Sequence, residues 1–154
     1  MKLKFLVLLP LMVILSACAA KKPAMTPLEL QSMQSRDYSN KYNVVFSSTM
    51  SVFQDLGYTI SAADKDTGLI SAESAAADNV WARALTGVSV NNQTKATAFI
   101  EKVQDKVNVR LNFVAVNKSS TAYGQSNRND VPILEMAIYQ NAFERIENAI
   151  FIRK

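Results

Sequence analysis

The sequence predicts an α+β domain: an antiparallel sheet of about four to five strands with two amphipathic helices packed on one face, in the order β-α-β-β-β-β-α. Two helical stripes and one alternating strand predict it. Tyr42, Val45, Phe46, Met50, Phe53 and Leu56 recur at helical spacing, as do Tyr139, Ala142, Phe143, Ile146 and Ile150. Between the stripes, Val107, Val109, Leu111, Phe113 and Ala115 alternate with Asn108, Arg110 and Asn112, the period-two pattern of a sheet with one wet face. Two helices on one face of such a sheet bury both stripes and the apolar strand face together.

The elements follow in chain order. "RDYS" from Arg36 reads as a short strand, and "SNKYNVVFSSTMSVFQDLG" as the first helix, with Ser39 or Asn40 as its cap and Gly57 as its stop. "YTISAADKDTGLISAES" offers two strands around a turn in which Gly68 is free to take positive φ. Asp64 and Asp66 look like the opening of a calcium loop, but the later ligands and the closing Glu are missing. Residues 75–95 are ambiguous: a loop with a helical turn, or an irregular strand at "TGVSV". "ATAFIEKV" and "VNVRLNFVAVN" make the clearest hairpin, and "KSSTAYGQSNRN" reads as a loop. Asp130 then suits an N-cap with Pro132 in the first turn of the last helix, and Arg153 and Lys154 suit its C-terminal end.

The amino terminus carries an address. Lys2 and Lys4 precede an apolar run over residues 5–15, and small Ser16 and Ala17 come before Cys18, the plan of a secretory signal. Eleven apolar residues rise only about 16 Å as a helix, roughly half a bilayer core. Leu15-Ser16-Ala17-Cys18 resembles the bacterial lipoprotein box. That resemblance implies that residues 1–17 are removed and that Cys18 carries a diacylglyceryl group and an acylated amino terminus. It also implies retention in the inner leaflet of the outer membrane, because Ala19 stands where inner-membrane lipoproteins carry Asp. Residues 18–35, with two prolines, read as a flexible tether reaching about 55 Å when extended. Docking of Leu28, Leu30 and Met33 on the domain is the alternative. Residues 36–154 then form one domain.

Composition removes several function classes. Lys2 and Lys4 leave with the signal, taking the formal charge from +4 to +2, and no basic cluster remains beyond Lys21-Lys22, so nucleic acid is not an expected partner. The chain has no histidine and a single cysteine, which excludes Ser-His-Asp and Cys-His catalysis and the usual zinc sites. Glu73, Asp78, Glu101 and Glu135 are available for carboxylate chemistry, but nothing in their spacing brings them together. No catalytic residue, cofactor or metal is expected. Trp81 beside Arg83 is the candidate partner-binding pair, since these residue types are enriched where proteins grip one another. Folding of Trp81 back onto the core edge is the competing reading. Met25, Met33, Met50 and Met136 are candidate linings of a small-ligand or lipid cavity, with ordinary core as the alternative.

"VFQDLGYTISAADKDTGLISAES" and "AIYQNAFERIENAIFIRK" resemble phrases of small Gram-negative lipoproteins, and the match runs from about Arg36 to the C-terminus. The domain of that family looks like the helix-on-sheet modules of BamC, a lipoprotein of the outer-membrane β-barrel assembly machine. The resemblance implies an accessory or scaffolding role with an envelope protein as partner. It transfers no functional residues, because the matching Leu56, Gly57, Gly68 and Phe143 are packing and turn positions.

Overall fold

A computed structural model describes residues 25–78, 88–121 and 123–153. Cys18, Trp81 and Arg83 lie outside the described residues. The chain runs α1 (Pro27–Gln34), β1 (Ser35–Tyr38), α2 (Tyr42–Asp55), β2 (Tyr58–Asp64), β3 (Leu69–Ser74), β4 (Ala77–Asp78), β5 (Val88–Val103), β6 (Lys106–Thr121), β7 (Ser126–Pro132) and α3 (Met136–Ile152). All pairings are antiparallel, in the order β1-β6-β5-β3-β2, with β4 added to β5 and β7 added to β6.

The α+β class and the one-sided helix layer are as expected. Val45, Phe46, Val52 and Phe53 of α2 and all five stripe residues of α3 are buried against Ile70, Ala72, Ala96, Ala98, Ile100 and the odd-numbered residues Val107–Phe113 of β6. Ala72, Ala96 and Ala98, each at most 1% exposed, leave the middle of the sheet shallow enough for the helices to settle on it. Arg153 donates to the Ser47 carbonyl and the Ser48 hydroxyl, pinning the end of α3 to α2.

The described residues form a seven-stranded sheet and three helices, more than predicted. Both additions have physical reasons. Residues 27–34 are a helix, not a tether: Thr26 and Glu29 form a capping box, Pro27 opens the helix, and Met33 is buried in the core. The folded body therefore includes residues ahead of 36, Met25 and Met33 among them. The stretch read as a loop before Asp130 instead continues β6 to Thr121 and returns as β7, a polar hairpin whose backbone groups are satisfied by the ladder. Asp130 pairs with Val116 inside β7, so it does not cap α3; Glu135 holds that position without a side-chain bond. Likewise Lys41 occupies the α2 cap position expected for Ser39 or Asn40. Part of the ambiguous 75–95 region is strand, in β4 and the start of β5.

Candidate interaction face

Among the described residues, α2 and α3 leave the other sheet face uncovered. Alternation puts Asn91, Gln93, Lys95, Thr97, Phe99 and Glu101 of β5 on it, in register with Lys118, Val116, Val114, Asn112, Arg110 and Asn108 of β6. Register across the neighbouring strands sorts these residues into rows. Near the β5–β6 turn, Glu101 and Asn108 lie beside Asp37, whose carboxylate accepts the Asn108 amide at 2.7 Å. The next row joins Leu69, Phe99, Arg110 and Ser35. Leu69 and Phe99 are 43% and 41% exposed, an apolar step in a polar face.

Further along comes a charged lattice. Lys95 meets Glu73 at 2.8 Å, Gln93 donates to the same carboxylate, and Arg128 grips Asp130 through two bonds of 2.8 and 2.7 Å. The Lys95 ammonium, by hydrogen bond and charge, holds the Glu73 carboxyl below its ordinary range. The Arg128 guanidinium does the same to Asp130. Val116, fully buried, sits between Gln93 and Asp130 within this lattice, on the face away from the helices. Alternation on β6 thus buries an apolar residue on both faces, first Phe113 beneath the helices and then Val116.

Two concavities open along this sheet, one beside the apolar step and one toward the distal end of the β5–β6 ladder. One, of about 450 Å³, is lined by Gln31, Ser35, Asp37, Glu101, Asn108 and Arg110, with the Ser35 hydroxyl oxygen buried and without a hydrogen-bond partner. The other, of about 550 Å³, is lined by Asn91, Lys118, Ser120, Ser126, Asn127 and Arg128. An apolar patch flanked by amides, hydroxyls and cations has the anatomy of a protein–protein contact surface.

The residues singled out from sequence are scattered. Glu73 is ion-paired mid-face, Glu101 lies six residues along β5 from the Lys95 partner of Glu73, about 20 Å away, and Glu135 precedes α3. Asp64 accepts the amides of Asp66 and Thr67, so it closes the β2–β3 turn on itself. Among the described residues no group of three or more metal-ligating side chains comes together. Met33 is core, Met25 and Met50 pack at its margin, and Met136 is 51% exposed, so the methionines do not line one cavity. An apolar groove of about 320 Å³ does exist where the α2–β2 junction and β6 meet the start of α3, formed by Leu56, Tyr58, Phe113, Ala137, Ile138 and Ala142.

Arg110 was visible in the sequence as a wet-face residue, whereas Leu69 and Phe99 were not. Their exposure follows from three-strand register, and only the odd spacing of Thr97, Phe99 and Glu101 hints at it. Among the described residues no helix is long and apolar enough to cross a membrane. No protein-family model matches this sequence, and no curated protein matches it significantly.

Proposed function

We propose that this chain is a lipid-anchored, periplasm-facing outer-membrane lipoprotein, a non-enzymatic accessory or scaffold that binds other envelope proteins through the open face of its sheet. The observation that carries the reading is the exposed Leu69–Phe99 step, near Arg110, Asp37 and the Lys95–Glu73 lattice, on the sheet face opposite α2 and α3. The Leu15-Ser16-Ala17-Cys18 run supports the anchor, and Ala19 supports the outer membrane.

The test is crosslinking and pull-down in cells of the lipidated wild type, the Leu69→Ser, Phe99→Ser double variant and the unanchored Cys18→Ala variant. Envelope proteins recovered with the wild type and lost from both variants support the reading. Unchanged recovery with a folded double variant removes the open face from it. The Trp81→Ala, Arg83→Ala variant tests the second surface in the same way.

A small-ligand or lipid-binding module is the second reading, favoured by the groove of Leu56, Tyr58 and Ile138. Its volume, about 320 Å³, is at the lower end for ligand sites. Native mass spectrometry of the purified protein decides it: a stoichiometric co-purified lipid supports the module, and its absence removes it.

A further inference from the structure

Among the described residues, the edges of the sheet are not guarded alike. β1 is four residues long, carries Arg36 and Asp37, and has α1 packed against it. β7 carries Arg128, Asp130 and Pro132, and β4 has only two residues. Charge, proline and shortness all deter the addition of another strand. β2 ends the other side of the sheet with seven residues, of which only the last, Asp64, is charged and none is proline. Nothing among the described residues pairs with its outer side. Ser61, Ala62 and Ala63 are exposed and small, so a further backbone can approach to strand spacing, about 4.8 Å.

Register fixes which groups of β2 face outward. Leu69, Ser71 and Glu73 address β2, so Asp64, Ala62 and Thr59 bond inward while Tyr58, Ile60 and Ala63 turn their amides and carbonyls out. These three stand opposite Ser74, Ala72 and Ile70, an even repeat of two, so the bulge at Ser61 does not break the outward row. The Ser61 hydroxyl donates to the Ser71 carbonyl at 3.0 Å and holds the bulge in place. Reversed, the row matches itself: with Ile60 on a two-fold axis, Tyr58 of one copy stands opposite Ala63 of the other. Tyr58 and Ile60 pack at the core margin, and Ala63 shares their side of the sheet. Apolar side chains therefore meet across such an axis, with Ile60 against Ile60 and Tyr58 against Ala63. The two Asp64 carboxylates lie at opposite ends, about 20 Å apart, whereas a parallel pairing would set them side by side.

We infer that the chain pairs with a second copy of itself through β2, antiparallel about a two-fold axis at Ile60, to form one sheet continuous across both copies. The two open faces then lie side by side and present the Leu69–Phe99 step twice. This pairing stands independently of the role assigned to that step and of the anchor.

Disulfide crosslinking of the full-length chain in cells, oxidised with copper phenanthroline, tests it. Ile60→Cys places two thiols across the axis on Cα atoms about 5.5 Å apart, within disulfide reach. Asp64→Cys keeps its pair about 20 Å apart, and the wild type, whose one cysteine is Cys18, is the blank. A disulfide dimer about tenfold more abundant with Ile60→Cys than with Asp64→Cys is expected. Adding Ala63→Pro, which removes the outward amide, should return it to the blank. Equal crosslinking at the two positions, none with a folded Ile60→Cys variant, or a dimer that survives Ala63→Pro overturns the pairing. Crosslinking of position 60 to a different protein overturns it too, and gives the edge to a strand of that protein. Sedimentation equilibrium of the detergent-solubilised wild type needs no variant: it should give twice the mass of one chain at high concentration and the mass of one chain on dilution. The mass of one chain throughout overturns the proposal.

Discussion

The Tyr139 hydroxyl accepts the backbone amide of Phe113 at 3.4 Å while the two rings meet edge to face at 5.2 Å. The same hydroxyl donates to the Ile133 carbonyl at 3.0 Å, and the Ile133 amide donates to the Phe113 carbonyl at 2.9 Å. One fully buried phenol thus joins α3, β6 and the segment that links β7 to α3. Tyr139→Phe keeps the ring and strands these partners, so it should cost about 1–3 kcal/mol. Urea denaturation should show a lower midpoint at unchanged m-value. A midpoint equal to wild type would mean that the hydroxyl contributes nothing net.

Two glycines separate conformational strain from steric conflict. Gly57 and Gly68 both hold positive φ, +84° and +75°, but only at Gly68 would a Cβ run into the Ile100 carbonyl and the Tyr42 hydroxyl. The Ile100 amide bonds the Gly68 carbonyl at 2.9 Å, so that backbone approach is fixed. Gly57→Ala should cost about 1 kcal/mol, the strain of the left-handed conformation alone. Gly68→Ala should cost at least about twice that, because the backbone must move as well. Thermal melts of the two variants check the order, and a reversal would contradict the close approach.

The edge strand gives a proline test. The Ile100–Gly68 bond sets the alternation on β3: Leu69, Ser71 and Glu73 address β2, so Thr59 bonds inward to Glu73 while Ala63 turns its amide outward. Ala63→Pro should leave stability within about 1 kcal/mol of wild type, since an outward amide is dispensable at an edge. Thr59→Pro removes a ladder bond and should cost about 2 kcal/mol or more. Equal losses in denaturant titrations would place the register one residue away.

Local periodicity made α2, α3 and the β5–β6 hairpin legible, because each has one apolar face wide enough to dominate its composition, and turn chemistry at Gly68 marked the β2–β3 turn. The distal hairpin did not announce itself: Asn117, Ser119, Ser120, Asn127 and Asn129 satisfy their backbone by cross-strand pairing with little apolar burial, so no alternation marks them. Asp130 before Val131 and Pro132 imitates a helix start, yet its carboxylate is spent on Arg128. For α1 the signal was present in Thr26, Pro27 and Glu29, but a single buried side chain, Met33, gave it no stripe. The open face was legible on β6 alone, whereas the Leu69–Phe99–Arg110 row exists only once three strands are in register.

The charged lattice and the buried phenols set opposite limits on pH stability. Folding holds Asp130 below its ordinary pKa through Arg128, Glu73 through Lys95, and Asp64 through bonds from Thr67 and Asp66. Each depressed carboxyl binds more protons in the unfolded chain, so its contribution is present above about pH 4 and is lost as pH falls through the folded value. Burial pushes the Tyr38 phenol up, and Tyr58 with it. Their contributions are complete below roughly pH 10 and are lost as pH rises beyond it, where the unfolded phenols ionise first. Stability measured by urea titration should therefore be flat from about pH 5 to pH 9 and fall on both sides. Lys95→Gln together with Arg128→Gln should soften the acid limb and leave the alkaline limb unchanged. Tyr38→Phe should do the reverse, and a variant that moved both limbs would show that the two sets of groups are coupled through a wider rearrangement of the sheet.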